Sequence, residues 1–173
     1  MPRRQRLASV VLMGTAGAGK STVMAALAER LGWPTLEGDS VHPAGNVAKL
    51  AAGVPLTDAD RRPWLEAISA WIGDRERERR SSIVTCSALR RSYRDLLRRG
   101  HPWIWFVHLD VSRAILEDRM ASRSGHFMPA TMLESQLATL EPLEPGEPGS
   151  VLAADGPPGE LAERIIDTLR LEP

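Results

Sequence analysis

The sequence predicts an α/β fold of three layers, in which a parallel β-sheet is covered by helices on both faces. Short apolar runs, such as residues 8–14 and 82–88, alternate along the chain with segments of helical periodicity. These runs consist mainly of apolar and small residues, as in strands that are buried on both faces. With 173 residues the chain can bury a core, and we expect one domain over residues 1–173.

The predicted strands are short apolar runs bounded by glycine, proline or polar residues. They are expected at residues 8–14, 34–37, 82–88, 103–110 and 150–155. Gly14 ends the first run, and Cys86 in the third run is expected to be a small buried residue rather than a reactive one.

The first two helices are the most clearly marked. Residues 21–31 place apolar side chains on one face, and Gly32 ends the segment. A second helix is predicted to begin at Thr57, because Thr57 and Asp60 resemble a capping pair. Its apolar stripe consists of Trp64, Leu65, Ile68, Trp71 and Ile72. The charged residues 74–80 are expected to form its solvated end.

The second half of the chain continues the alternation of strands and helices. Helices are expected at residues 89–99, from Ser112, from Pro129 to about Leu140, and at residues 158–171. Residues 121–130 break the helical pattern, and the proline-rich residues 141–149 are expected to form a surface turn.

Composition indicates an ordinary globular chain and favours neither a nucleic-acid nor a membrane partner. The 22 basic and 22 acidic residues cancel, so we expect neither nucleic acid nor a membrane surface as a partner. The basic N-terminal segment of the chain leads directly into a glycine loop, which argues against a signal peptide. A lone Cys86 fits a reducing compartment, and we expect a cytoplasmic protein. Only two basic residues are lysines, Lys20 and Lys49, which favours a specific role for each.

Residues 14–21, GTAGAGKS, match the phosphate-binding pattern G-x-x-x-x-G-K-[ST] between a strand and a helix. The glycines permit backbone conformations in which successive N–H groups form an anion cradle at a helix N-terminus. In this pattern Lys20 reaches the β- and γ-phosphates, and the Ser21 hydroxyl ligates Mg²⁺. The predicted ATP-binding residues are Gly14, Thr15, Ala16, Gly17, Ala18, Gly19, Lys20, Ser21 and Thr22.

This loop alone does not identify the reaction. A kinase, a GTPase and a motor all use such a loop, and a glycine-rich turn with a fortuitous lysine is the plainer alternative. The small size argues against a motor, and no N-K-x-D-type segment that reads guanine is present in the sequence.

A second polar loop, GDSVHPAGNVAKL at residues 38–50, follows the short second strand and is neither a clean strand nor a clean helix. Ligands of open α/β sheets bind beyond the carboxyl ends of the strands, so Asp39 should face the phosphate loop. Its carboxylate could orient an attacking hydroxyl, and Glu37 could support Mg²⁺ through water. His42 and Lys49 supply donors for an anionic acceptor. The alternatives are a capping Asp39, a plain His42-Pro43 turn and a solvated Lys49.

Three segments resemble the gluconate kinase family. They are GDSVHPAGNVAKLAAGVPLTDADRRPWL at residues 38–65, CSALRRSYRDLLR at residues 86–98 and GHFMPATMLESQLATLEPLE at residues 125–144. Leu50 stands where the family usually has Met. Arg90 stands where it has Lys, and we expect Arg90 to contribute to acceptor binding.

The resemblance covers nearly the whole chain. It implies ATP-dependent phosphorylation of D-gluconate to 6-phosphogluconate with Mg²⁺. It also implies the nucleoside-monophosphate-kinase-like P-loop fold and, commonly, a homodimer.

Phosphoryl transfer requires further cations, because negative charge gathers on the moving group. Arg119 and Arg123 are four residues apart on one helical face, and Gly125 permits a bend after them. We therefore predict a lid at about residues 121–130 that brings these catalytic arginines onto the phosphates, a feature the resemblance supports. An exposed basic helix end is the alternative. His126 is expected to line the acceptor side and Gln136 to bind acceptor hydroxyls.

The sequence leaves three competing functions open. The chain could be a kinase of another small anionic acceptor such as shikimate, a nucleoside monophosphate kinase, or a non-catalytic regulator that binds ATP.

Overall fold

The computed structural model describes residues 6–122 and 132–173 and contains one five-stranded parallel sheet. Its strands are β1 (Ser9–Met13), β2 (Thr35–Glu37), β3 (Ser82–Thr85), β4 (Ile104–Asp110) and β5 (Gly149–Ala153). The strand order is β2-β3-β1-β4-β5, with Ser9 opposite both Ser82 and Ile104. The predicted parallel sheet is therefore confirmed.

Helices occupy both faces of this sheet. They are α1 (Lys20–Leu31), α2 (Ala44–Ala51), α3 (Asp58–Arg77), α4 (Arg91–Arg98), α5 (Arg113–Ser122), α6 (Met132–Thr139) and α7 (Pro158–Leu169). Within the described residues, no helix is both long and apolar enough to cross a membrane.

Alternate residues of β1 face two separate apolar cores, as the period of a strand requires. Val10 and Leu12 pack into the core that contains residues of α1, α5 and α7. Val11 and Met13 pack into the core formed with α3 and α4. All five residues of β1 are buried, which explains why the run is continuously apolar.

The order of the strands creates a crevice at one end of the sheet. The chain passes from β1 beyond β3 to the edge strand β2, and later from β3 beyond β1 to β4. The connections therefore leave β1 and β3 in opposite directions. Such a point opens a crevice beyond the carboxyl ends of the strands, where ligands of open α/β sheets bind.

Helix α3 begins where the sequence predicts. The Thr57 hydroxyl accepts a hydrogen bond from the Asp60 N–H at 3.2 Å, and the Asp60 carboxylate accepts one from the Thr57 N–H at 2.9 Å. This reciprocal pair satisfies two amide groups at the helix start, and such a cap is typically worth about 1 kcal/mol.

The polar loop at residues 38–50 is more regular than the sequence predicts. It forms a 3₁₀ turn, Gly38–Val41, followed by helix α2. Pro43 stands at the N-cap position, where a proline does not interrupt the helix. The short segment hides its periodicity because only Asn46 and Leu50 of its eight residues are buried.

The Arg94 side chain is completely buried beneath the proline-rich turn and holds that turn against α4. Its guanidinium donates to both carboxylate oxygens of Glu147, at 2.7 and 3.0 Å, and to the Ala88 carbonyl oxygen at 3.0 Å. The side chains of Arg94 and Glu147 are 0% and 2% exposed. Burial works to raise the pKa of Glu147, but hydrogen bonds from Arg94 and the Glu144 N–H hold the pKa below its usual range.

Replacing Arg94 is predicted to destabilise the protein strongly. Arg94→Met leaves the Glu147 carboxylate buried without its partner, and we expect a loss of about 3–5 kcal/mol in the free energy of unfolding at neutral pH. Urea denaturation measures this loss. Arg98→Met on the same helix is the matched control and should cost under about 0.5 kcal/mol.

The loss in the free energy of unfolding caused by Arg94→Met should depend on pH. The depressed pKa of Glu147 stabilises the wild type at neutral pH, and this contribution disappears as the pH falls through the folded-state pKa. The difference between wild type and Arg94→Met should therefore shrink in acid. A loss that is equal for Arg94→Met and Arg98→Met would contradict the role of the buried pair.

Candidate active site

The phosphate loop connects β1 to α1 at the carboxyl edge of the sheet. Gly17 and Gly19 adopt φ angles of 82° and 90°, a region that other residues rarely enter. Gly19 is the N-cap of α1 and provides no side chain, so the first N–H groups of the helix are not capped by it. The loop thus presents backbone donors at a helix N-terminus, the arrangement that binds phosphate.

Positive side chains lie against this loop from two directions. Lys20 Nζ donates to the carbonyl oxygens of Gly14 and Thr15, at 3.0 and 2.9 Å. Arg119 from α5 donates to the Gly17 carbonyl oxygen at 3.1 Å. Two of the three cations that the sequence predicts for catalysis, Lys20 and Arg119, are therefore next to the phosphate loop.

Gln136 from α6 also contacts the phosphate loop. Its side-chain oxygen accepts a hydrogen bond from the Ala16 N–H at 2.6 Å, and the side chain is buried. This bond positions the loop, and both residues also line the cleft beside Asp39; the binding of acceptor hydroxyls by Gln136 and of phosphate by Ala16 stays a prediction. Thr22, the last predicted ATP-binding residue, is exposed and donates to the Gly19 carbonyl oxygen.

The acceptor side of the site begins at a glycine that packs against the neighbouring strand. A Cβ on Gly38 would lie 2.0 Å from the carbonyl oxygen of Thr85, so no larger residue fits. The Gly38 N–H donates to the Thr85 hydroxyl at 3.0 Å, and its carbonyl oxygen accepts from Trp64 Nε1 at 2.8 Å. These contacts determine where Asp39 leaves the sheet.

Asp39 and the phosphate loop line the same cleft. This position is the one predicted for Asp39 from the end of β2. The residues that line the cleft are Ala16, Gly17, Gly19, Lys20, Ser21, Glu37, Asp39, His42, Leu50, Leu56, Arg61, Trp64, Ser87, Leu89 and Gln136.

His42 is held rigidly beside Asp39. Its ring stacks on Trp64 with centroids 4.2 Å apart, and its side chain is only 4% exposed. Its Nε2 lies 3.9 Å from Asp39 Oδ1. Burial lowers the pKa of His42, with Asp39 acting in the opposite direction and Arg61 in the same direction as burial, so this environment favours the neutral ring.

Two predicted acceptor-binding cations lie elsewhere. Lys49 does not line the cleft, and its Nζ donates to both carboxylate oxygens of Asp60, at 2.9 and 2.8 Å. Arg90 is also outside the lining and lies 3.3 Å from the exposed carboxylate of Asp58. Each of these side chains lies near a carboxylate at the N-terminus of α3, Asp60 for Lys49 and Asp58 for Arg90; the sequence predicts only a capping role for Asp60 and none for Asp58.

The structure adds Arg61 and Ser87 to the cleft. The Arg61 guanidinium donates to the Leu56 carbonyl oxygen at 2.6 Å and to the Tyr93 hydroxyl at 3.1 Å, and it lies over the Tyr93 ring. Ser87 follows β3 at the carboxyl edge, and its carbonyl oxygen accepts from the Gly14 N–H at 3.2 Å. The position of Ser87 after a buried strand could have identified it as a residue of the cleft. Nothing in the sequence distinguishes Arg61 from Arg62.

The cleft offers oxygen ligands of the kind that Mg²⁺ prefers. The Ser21 hydroxyl and the Glu37 carboxylate both line it, and Glu37 accepts a hydrogen bond from the Thr85 hydroxyl. Among the described residues, no group of three or more His, Cys, Asp or Glu side chains could cage a metal ion. This donor set fits a magnesium ion that is held mainly by substrate phosphates and water, with one or two ligands from the protein.

Three predictions fall wholly or partly on residues 123–131, outside the described part of the chain. They concern Arg123, His126 and most of the lid at residues 121–130.

The fold and the cleft together define a P-loop kinase of small molecules. The family model described as AAA domain matches residues 10–143. The gluconokinase of Gluconobacter oxydans is 46% identical over 163 residues, which cover 94% of this chain and 92% of that protein. The chain belongs to the gluconokinase family.

Solved structures agree with this assignment. A sugar kinase from Janibacter is 46% identical and superposes with a TM-score of 0.91, covering 96% of both chains. A gluconokinase from Sinorhizobium meliloti is 41% identical with a TM-score of 0.79, covering 96% of this chain and 98% of that one. The nucleoside-monophosphate-kinase-like P-loop fold is therefore confirmed.

Adding one methyl group at Gly38 is predicted to disable the site. Gly38→Ala forces the Cβ into the Thr85 carbonyl oxygen, so β2 and the turn that carries Asp39 must move. We expect a lower melting temperature and a loss of kcat of about 100-fold, since displacements near 1 Å have this effect. Thermal unfolding and steady-state kinetics measure the two effects.

Gly45→Ala in α2 is the matched control, because a Cβ at Gly45 meets no atom within 4 Å. Alanine favours a helix over glycine by up to about 1 kcal/mol, so this variant should be active and at least as stable as wild type. Full activity of Gly38→Ala would show that the contact with Thr85 does not place Asp39.

Proposed function

We propose that this chain catalyses the ATP-dependent phosphorylation of D-gluconate to 6-phospho-D-gluconate. One observation carries the proposal: Asp39 lines the same cleft as the phosphate loop and Lys20. Direct transfer requires the acceptor hydroxyl and the γ-phosphate to meet in one cavity, and this cleft offers both sides of such a site. Membership of the gluconokinase family supports the choice of acceptor.

The phosphate side of the cleft binds and polarises ATP in this proposal. The backbone N–H groups at the start of α1 bind phosphate oxygens, and Lys20 exchanges its bonds to Gly14 and Thr15 for the β- and γ-phosphates. Arg119 is close enough to the loop to stabilise charge on the transferring group. Ser21, and Glu37 through water, would hold Mg²⁺, which would neutralise part of the charge on the phosphate oxygens.

Asp39 orients the nucleophile. Its carboxylate accepts a hydrogen bond from the primary hydroxyl of gluconate and receives the proton as the new P–O bond forms, while the bond from the γ-phosphorus to the bridging oxygen breaks and ADP leaves. Because the transition state of phosphoryl transfer is largely dissociative, the position of the Asp39 carboxylate matters more than its basicity. The tight packing of Gly38 against Thr85 supports this role, because it fixes the main chain immediately before Asp39.

Arg61 binds the acceptor carboxylate in this proposal. Its hydrogen bonds to Leu56 and Tyr93 use neutral oxygens, so they hold the guanidinium in place without neutralising its charge. A pre-oriented guanidinium is well suited to a planar carboxylate. Lys49, whose charge is paired with Asp60, instead supports the start of α3.

Several further parts of the proposal come from the sequence and the family resemblance. They are a single kinase domain over residues 1–173, a lid at about residues 121–130 that carries Arg123 and His126, a contribution of Arg90 to acceptor binding, a homodimer and a cytoplasmic location.

A panel of acceptors tests the proposed function. With ATP and Mg²⁺, coupled detection of ADP should show turnover of D-gluconate and none of shikimate, AMP or CMP. The matched variant Asp39→Asn keeps the shape of the side chain but cannot accept the proton. We expect it to lower kcat by about 100-fold or more while the dissociation constant for ATP stays unchanged.

Turnover of shikimate alone would reject the acceptor, and turnover of AMP or CMP alone would indicate a nucleoside monophosphate kinase. ATP binding without turnover of any acceptor would indicate a regulator. An equal loss of ATP binding and kcat in Asp39→Asn would assign Asp39 a structural role.

The two candidate carboxylate-binding cations can be separated by mutation. Arg61→Met should raise the KM for gluconate by about 10- to 100-fold, because a charged hydrogen bond contributes about 1.5–3 kcal/mol. The KM for ATP should not change. Lys49→Met should change the KM for gluconate much less, because Lys49 lies outside the cleft lining.

Arg62→Met, at the exposed neighbouring position, serves as the control for loss of a positive charge. A larger effect of Lys49→Met than of Arg61→Met on the KM for gluconate would return the carboxylate-binding role to Lys49.

A further inference from the structure

Asn46 is a buried polar residue that the reaction, as proposed above, leaves without a role. It lies in α2, only 5% exposed, between His42 and the start of α3. Its amide nitrogen makes two contacts, at 2.8 Å to the main-chain carbonyl oxygen of Asp60 and at 3.3 Å to Nδ1 of His42.

The first contact fixes how the Asn46 amide is oriented. A main-chain carbonyl oxygen can only accept a hydrogen bond, so the group that faces Asp60 must be the NH₂ of Asn46. The same NH₂ group then directs its second hydrogen at His42. The side-chain oxygen of Asn46 cannot exchange places with the nitrogen without setting two oxygens against each other.

The second contact determines which nitrogen of His42 carries the proton. Because the NH₂ group only donates, Nδ1 must accept and must therefore be unprotonated. The neutral ring then carries its proton on Nε2. This is the nitrogen that faces the carboxylate of Asp39, 3.9 Å from Oδ1.

We propose that Asn46 is a positioning residue that locks His42 in the Nε2–H tautomer, so that His42 presents a donor to the acceptor beside Asp39. This inference rests on the proposed function, because it assigns His42 to the acceptor. The opposite tautomer would direct a lone pair of Nε2 at the Asp39 carboxylate, and it would place no donor in that part of the cleft.

The geometry around His42 suits a fixed donor. Stacking on Trp64 holds the plane of the ring, and the contact with Asn46 holds its tautomer. The distance of 3.9 Å between Nε2 and Asp39 is longer than a hydrogen bond. An oxygen of the polyhydroxy acceptor can therefore accept from Nε2 while Asp39 accepts from the reacting hydroxyl.

The tautomer can be measured directly on the whole protein. Histidine is labelled with ¹⁵N, and the His42 ring is assigned by its loss in His42→Gln. In the wild type at neutral pH, we expect Nδ1 to resonate as an unprotonated nitrogen and Nε2 as a protonated one. In Asn46→Asp, whose carboxylate only accepts, Nδ1 should become protonated. Val47→Ala, an exposed neighbour on α2, is the control and should keep the wild-type spectrum.

Kinetics link the tautomer to the reaction. Asn46→Asp and Asn46→Ala should lower kcat/KM for gluconate by about tenfold or more, the effect of losing one hydrogen bond, with no change in ATP binding. Asn46→Ala should also give a mixture of tautomers. If Asn46→Asp fails to fold, as judged by loss of ATP binding, the spectrum and kcat/KM of Asn46→Ala are compared with those of the wild type to test the inference.

A wild-type His42 with its proton on Nδ1 would overturn the inference. So would a tautomer and a kcat/KM that are both unchanged in Asn46→Ala. Failure of the proposed function is distinguishable, because an inactive wild type would still show the Nε2–H tautomer in the spectrum.

Discussion

The contact between Gly38 and Thr85 is the constraint on which the acceptor side of the molecule depends. At the carboxyl ends of β2 and β3 there is no room for a Cβ, so the two strands approach as closely as their main chains permit. Trp64 then binds the Gly38 carbonyl oxygen with its indole N–H and supports the His42 ring with its face. One glycine and one tryptophan thus connect the sheet, α3 and the turn that carries Asp39.

The positive side chains of the protein differ in whether their partners neutralise them. Lys49 and Arg94 are paired with carboxylates, so much of their field is cancelled locally. Arg61 and Arg119 direct hydrogen bonds to neutral carbonyl or hydroxyl oxygens, which orient the guanidinium but do not neutralise it. Such pre-oriented cations stabilise anions without further reorganisation, the property that catalysis of phosphoryl transfer requires.

The sequence predicts the framework well because its signals are local. The continuous apolar run of β1, the glycine loop after it and the capping pair Thr57–Asp60 each specify structure within a few residues. The topology rule for parallel sheets also places Asp39 correctly at the rim. The family motif at residues 38–65 identifies the loop that carries Asp39 by its sequence pattern alone.

Some side-chain partners depend on contacts across the fold. Lys49 is 11 residues from Asp60 in the chain, and Gln136 is 120 residues from Ala16, so neither partner is visible from spacing. Helix α2 is short and mostly exposed, which leaves little periodicity to detect. Arg61 and Arg62 look alike in sequence, and only the direction of α3 decides which of them lines the cleft.

The most direct test of the central claim is a crystal structure with D-gluconate, Mg²⁺ and a non-hydrolysable ATP analogue. We expect the primary hydroxyl oxygen to lie within hydrogen-bonding distance of Asp39 and in line with the γ-phosphate held by the glycine loop. Gluconate bound away from Asp39, or with its primary hydroxyl directed away from the γ-phosphate, would contradict direct transfer within this cleft.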